Sequence, residues 1–236
     1  MKNEVIVITL NGYNNYNRSL INNIKTTTSY DVILGWDEKS GKKEDNMSFI
    51  NSYKLLLNKF GSKINNFNGR WIDNPSKLGS IYWFSKNSEY KYMWLIEDDV
   101  FIKNGNKFFD SYNSINSDII CKRDDNLPFW YPKYRVGDNN KVSVFSPLAH
   151  LYVVRLSRHA CLKIIEEINN STETNHHELW IPYVIEKHNL LYSDIIHKHK
   201  KGLRTNPKDS ADTYHNLENY DICHPYKHKI SGCLMF

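Results

Sequence analysis

Three consecutive carboxylates, Glu97-Asp98-Asp99, follow directly on the apolar run Tyr92-Met93-Trp94-Leu95-Ile96. A run that is apolar at every position suits a central strand buried on both faces. Side chains alternate across a strand, so Glu97 and Asp99 are expected to project one way and Asp98 the other. Neighbouring like charges repel unless a cation neutralises them. The carboxyl ends of strands in open α/β sheets are also where ligands bind. A hard divalent cation takes oxygen ligands and keeps positions open for phosphate oxygens. The spacing therefore points to Glu97 and Asp99 as holders of a metal that in turn holds a diphosphate. The plainer alternative is a solvated acidic turn after a strand.

The surrounding pattern must supply the strand and its supports. Glu4 to Leu10 is a β-branched apolar run followed by Asn11-Gly12, a buried strand ending in a turn. Leu20, Ile21 and Ile24 predict a helix over Asn17 to Lys25, and a second strand runs from Tyr30 to Gly35-Trp36-Asp37. Asp45 to Ser48 lead into a predicted helix with one apolar stripe of Phe49, Ile50, Tyr53, Leu56, Leu57 and Phe60. Asn74-Pro75-Ser76 reads as the turn and cap of a helix over 77–86, which precedes the acidic strand. Strand signals continue at Asp118 to Cys121 and Val142 to Val154. Ser157 then caps a helix carrying Cys161, Ile164, Ile165 and Ile168 at helical spacing. Another helix is expected near 178–188, before an irregular, His-rich end. Strands alternating with helices predict βαβ units, a mainly parallel Rossmann-like sheet with flanking helices, and one α/β domain over 1–236.

The chain has 236 residues, 40% hydrophobic and 24% charged, which is ordinary globular usage. With 10 Gly and 7 Pro, fibrous and low-complexity architectures are excluded. The longest apolar runs fall far short of the roughly 20 residues that span a bilayer. No leader pattern is visible at Lys2–Asn11, so a cytoplasmic location is expected. The four Cys are widely spaced with no CxxC pair, and read as free thiols in a reducing compartment. A net charge of +5 suits a phosphate-bearing small ligand better than nucleic acid, whose binders carry a stronger basic stripe.

With a helix ahead of it and a Tyr90-Lys91-Tyr92 lead-in, the run Trp94-Leu95-Ile96-Glu97-Asp98-Asp99-Val100 resembles the DxD signature of GT-A glycosyltransferases. The first Asp of the strict motif is Glu here. The likeness is tightest over residues 75–101 and extends over 4–100. Size and composition are also similar to the compact glycosyltransferases of large DNA viruses and protists. The resemblance implies a transferase that moves a sugar from a nucleoside diphosphate donor, UDP ahead of GDP, to a hydroxyl acceptor such as a glycan. It implies Mn²⁺ or Mg²⁺ on Glu97 and Asp99, with residues 1–100 as the donor half and 101–236 as the acceptor half.

By the same resemblance, Thr9, Asn11, Trp36, Asp37 and Lys77 fall where such enzymes meet the nucleotide, and Glu97 and Asp98 lie in the donor-binding triplet itself. A late His commonly completes the metal site, which selects His224, with Lys227 near the diphosphate; Lys201 and Arg204 are further leaving-group candidates. His150 falls in the acceptor region. Inverting members need a carboxylate that takes the acceptor proton, and Glu178 at a helix start is the candidate. Asn175 and Glu178 also have the spacing of a capping box, which would employ the same carboxylate structurally. Retaining members lack such a base. Rival readings are a nucleotidyltransferase, disfavoured because Asn11 to Arg18 lacks a Gly- and Arg-rich loop, a metal-dependent phosphohydrolase, and a non-catalytic carbohydrate-binding protein whose aromatics stack on sugars.

Overall fold

A computed structural model describes residues 2–10, 15–36, 49–61, 75–87, 89–124, 148–170, 177–195, 203–204 and 222–223. In chain order the elements are β1 (Lys2–Leu10), α1 (Asn15–Thr27), β2 (Asp31–Trp36), β3 (Phe49–Asn51), α2 (Ser52–Phe60) and α3 (Pro75–Lys86). There follow β4 (Tyr90–Glu97), β5 (Phe101–Ile102), α4 (Gly105–Asp110), β6 (Ile119–Asp124), β7 (Leu148–Ser157) and α5 (Arg158–Asn170). The remainder are α6 (His177–Lys187), β8 (Tyr192–Asp194), β9 (Leu203–Arg204) and β10 (Ile222–Cys223).

Seven strands form one sheet in the order β3-β2-β1-β4-β7-β6-β8. Neighbours from β3 to β4 are parallel, β7 runs antiparallel to both β4 and β6, and β8 is parallel to β6. The two continuous apolar runs occupy the centre for the reason their composition gives. Val5 and Val7 of β1, with Met93 and Leu95 of β4, join one cluster with α2, α3, α5 and α6. Ile6 and Ile8, with Trp94 and Ile96, join a second cluster on the other face with α1 and α4. There Trp94 packs against Phe108, Phe109 and Tyr112 at ring separations of 5.3–5.4 Å. A second, three-stranded sheet has the order β5-β10-β9. Among the described residues no helix is long and apolar enough to cross a membrane.

One expected helix starts late. Phe49 and Ile50 do not continue a helical stripe; they pair in parallel with Leu34 and Gly35 of β2. Phe49 also packs edge-on against Trp36 at 5.6 Å. Asn51 Oδ1 accepts the Lys54 backbone N–H at 3.0 Å, and this cap sets the helix start at Ser52. Helix α3 begins at Pro75, whose missing N–H costs nothing at a first helical position. The strand expected over 142–154 is described from Leu148 and runs on to Ser157, whose Oγ accepts the Ala160 N–H at 3.0 Å and caps α5.

Small residues let α3 lie directly on its neighbours. A Cβ on Gly79 would run into Cα and Cβ of Ser52, and one on Gly35 of β2 would collide with Ser80 Oγ. Ser52 Oγ donates to the Ser76 carbonyl at 3.3 Å, and Ser80 Oγ donates to the same carbonyl at 2.6 Å. These contacts fix the first turn of α3, and with it Lys77.

Candidate functional site

Strand order reverses between β1 and β4: the chain builds outward to β2 and β3, then returns to the other side of β1. Such a switch point leaves a crevice outside the carboxyl ends of the two strands, where ligands of open α/β sheets sit. Glu97 stands at that crevice, paired in register with Thr9 of β1. The Val100 N–H donates to the Glu97 carbonyl at 3.3 Å, so the strand ends there and Asp98 and Asp99 lie in a tight turn.

The triplet divides its side chains between the two faces of the sheet. Glu97 turns toward α3 and α6, where its carboxylate forms an ion pair with Lys77. Asp98 turns toward α1, and its Oδ2 accepts from Asn17 Nδ2 at 3.1 Å. Asp99 is half-buried, with Oδ1 turned inward out of contact with solvent.

Lys77 is the most informative surprise at this site. The resemblance makes it a nucleotide contact, and the fold places it under the crevice. Its side chain is 2% exposed against 22% for Glu97. Its Nζ lies 3.2 Å from His177 Nε2, at the first position of α6. An ammonium group can only donate, so His177 Nε2 is the acceptor in this contact. His177 is itself buried. Sequence reasoning stopped at its neighbour Glu178; a contact across 100 positions leaves no local signal.

Glu178 is half-buried in the first turn of α6. Burial pushes the Tyr152 hydroxyl well above its ordinary pKa, and the charges of Cys121, Asp194, Glu178 and Glu97 add to the effect.

The other candidates fall in three groups. Thr9 is buried, and its hydroxyl donates to the Ile96 carbonyl at 3.2 Å, clamping β1 to β4 beneath the crevice. Trp36 is buried in the cluster on the α1 face. Arg204 lies on β9 and His150 on β7, in register with Cys223 and Lys122 respectively. Asn11, Asp37, Asn175, Lys201, His224 and Lys227 lie outside the described residues. Strand β10 lies beside β5, the two-residue strand that follows the acidic turn. Ile222 pairs with Ile102 and Cys223 with Phe101, antiparallel.

Among the described residues no three His, Cys, Asp or Glu side chains converge as a metal cage. Two hard carboxylates at one turn still suit an ion that keeps most of its positions for water and phosphate oxygens. The Lys77 ammonium against Glu97 shows that this position already accommodates positive charge.

No known protein-family profile and no curated protein sequence matches the chain. Solved structures do match. Mouse xyloside xylosyltransferase 1, in its apo form, superposes with a TM-score of 0.50 at 11% identity, over 94% of this chain and 97% of that one. The galactosyltransferase LgtC, in complex with donor and acceptor sugar analogues, gives a TM-score of 0.48 at 11% identity, over 96% of this chain and 90% of that one. A glycosyltransferase involved in glycosylation of the major capsid of PBCV-1 gives 0.46 at 12% identity, with 96% of each chain covered. The mixed, mainly parallel sheet and the first of these likenesses identify the fold as a GT-A fold.

Proposed function

We propose that the protein is a glycosyltransferase that moves a sugar from a nucleoside diphosphate, UDP ahead of GDP, to a hydroxyl acceptor such as a glycan. The observation that carries this reading is the acidic turn Glu97-Asp98-Asp99 at the switch point between β1 and β4. Residues 1–100 would bind the donor, with Thr9 and Trp36 as the floor and Asn11 and Asp37 toward base and ribose. Residues 101–236 would build the acceptor side.

Glu97 and Asp99 would hold Mn²⁺ or Mg²⁺, with His224 as a third ligand. Bound there, the ion stabilises the negative charge that develops on the departing diphosphate. Asp98 holds the turn to α1 through Asn17, and Lys227 offers a point charge to the phosphates. Glu178 would take the proton from the acceptor hydroxyl. That oxygen bonds to the anomeric carbon as the bond to the diphosphate oxygen breaks, and the nucleoside diphosphate leaves with inversion.

Thermal unfolding against UDP-, GDP-, CMP- and dTDP-linked ligands, with and without Mn²⁺, tests the reading. A ligand at 100 times its dissociation constant stabilises by about 2.7 kcal/mol, a midpoint rise of roughly 5–10 °C for a chain of this size. The expected rise requires nucleotide and metal together and disappears in Asp99→Ala. The absence of any rise with every diphosphate would overturn the donor site.

A further inference from the structure

We infer that Lys77 is the resident counter-cation of the acidic turn, stored there by His177, and that a divalent ion must compete with it for Glu97. The inference rests on the donor-site reading above and deepens it. The ion pair joins a lysine that is 2% exposed to a glutamate that is 22% exposed. A buried ammonium persists only where it is paired and hydrogen-bonded. Glu97 supplies the charge and His177 Nε2, at 3.2 Å, the second acceptor. The helix that carries Lys77 cannot easily back away. Gly79 lies against the backbone of Ser52, and Ser52 and Ser80 both donate to the Ser76 carbonyl. The cation is therefore built into the scaffold, whereas Glu97 keeps an exposed side toward the crevice.

A divalent ion entering at Glu97 meets a positive charge already in place, which weakens binding of the metal alone. A diphosphate brings enough negative charge to balance both cations. Metal and diphosphate should therefore bind with positive coupling, and by linkage each raises the affinity of the other by the same factor. A site of bare carboxylates would bind metal well without nucleotide. Lys77 turns it into one that fills when the donor arrives.

The test is a Mn²⁺ titration without nucleotide, followed by the electron paramagnetic resonance signal of the free ion, and its repeat with UDP. Lys77→Met keeps the length and apolar stem and removes the charge. It is expected to bind Mn²⁺ alone about tenfold more tightly than the native chain, and to lose most of the gain in affinity that UDP confers. Lys77→Arg, which keeps the charge, should stay near the native affinity. If the Met variant does not fold, Lys77→Gln, which keeps a polar group against His177, makes the same measurement. Equal or weaker Mn²⁺ binding by the neutral variants, with binding still lost in Asp99→Ala, would overturn the counter-cation and leave the donor site standing. No Mn²⁺ binding by any form would also overturn it. The fate of the donor site is then read separately, from the nucleotide-dependent unfolding.

Discussion

Two pairs of a glutamate with a basic residue on the central strands, Glu4 with Arg155 and Glu97 with Lys77, differ in how completely they are enclosed. Glu4 of β1 and Arg155 of β7 meet at 3.0 Å with side-chain exposures of 2% and 0%. Arg155 also donates to the Tyr112 carbonyl at 2.9 Å and to the Ile115 carbonyl, and its guanidinium lies 4.0 Å over the Tyr92 ring. The other Glu4 oxygen accepts from Trp94 Nε1 at 2.6 Å. Fixed protein groups thus surround this pair, and it ties β1, β4, β7 and the segment after α4 together. Glu97 and Lys77 lie at the opposite end of the same strands, and there the carboxylate is partly open to the crevice. One pair is locked and the other is exchangeable. Exposure of one partner, rather than the presence of an ion pair, separates a structural tie from a site where ligands exchange charge.

Breaking the locked pair should have the largest effect on the fold. Arg155→Ala strands a buried carboxylate and two carbonyls, and should cost about 3–5 kcal/mol, lowering the thermal midpoint by roughly 10 °C. Glu4→Leu combined with Arg155→Met should cost less than the sum of the single changes, because neither charge is then left alone. An additive double variant, measured by denaturant unfolding, would show that the two side chains do not act as a pair.

The exchangeable pair should answer asymmetrically. Glu97→Ala leaves the enclosed Lys77 ammonium without its counter-charge and is expected to cost about 3 kcal/mol. Lys77→Met leaves a carboxylate that water can still reach, and should cost about 1 kcal/mol. Equal losses in urea unfolding would mean that the lysine can escape to solvent, and the contrast between the two pairs would weaken.

These pairs also mark where sequence reading stops. The strands at Val5–Leu10 and Tyr92–Ile96 were legible because burial on both faces demands unbroken apolar runs, and the Ser157 cap because it acts within three residues. The acidic turn was legible because the three carboxylates interrupt such a run. Phe49 and Ile50 misled, since with Tyr53, Leu56 and Phe60 they fit helical spacing as well as a three-residue strand. Only the edge of β2 decides between the two. Arg155 fell just past the strand expected over Val142 to Val154, and its partner Glu4 lies 151 positions away, so no local pattern announced the pair. A separation of 100 positions likewise concealed the contact of Lys77 with His177. At the site, the acidic strand end was readable from residue identity, and the pairing of Glu97 with Lys77 only from the packing of α3.

The finest test of the contrast is its response to pH. Burial holds the Glu4 carboxyl above its ordinary value of 4.5, outweighing the hydrogen bond from Trp94 and the charge of Arg155. Burial likewise lowers Arg155 against the pull of Glu4. A carboxyl whose folded pKa is raised holds its proton longer in the folded state than in the unfolded one. Its contribution is therefore complete below 4.5 and declines as pH rises through the raised value, with a slope of at most about 1.4 kcal/mol per pH unit. Glu4→Gln does not titrate, so its stability should fall less steeply over that window than that of the native chain, whatever the two have in common elsewhere. Chemical denaturation of both proteins at closely spaced pH values measures the difference in slope. Identical slopes would mean that Glu4 is as well solvated by its fixed partners as by water, and that enclosure alone does not distinguish the locked pair from the exchangeable one.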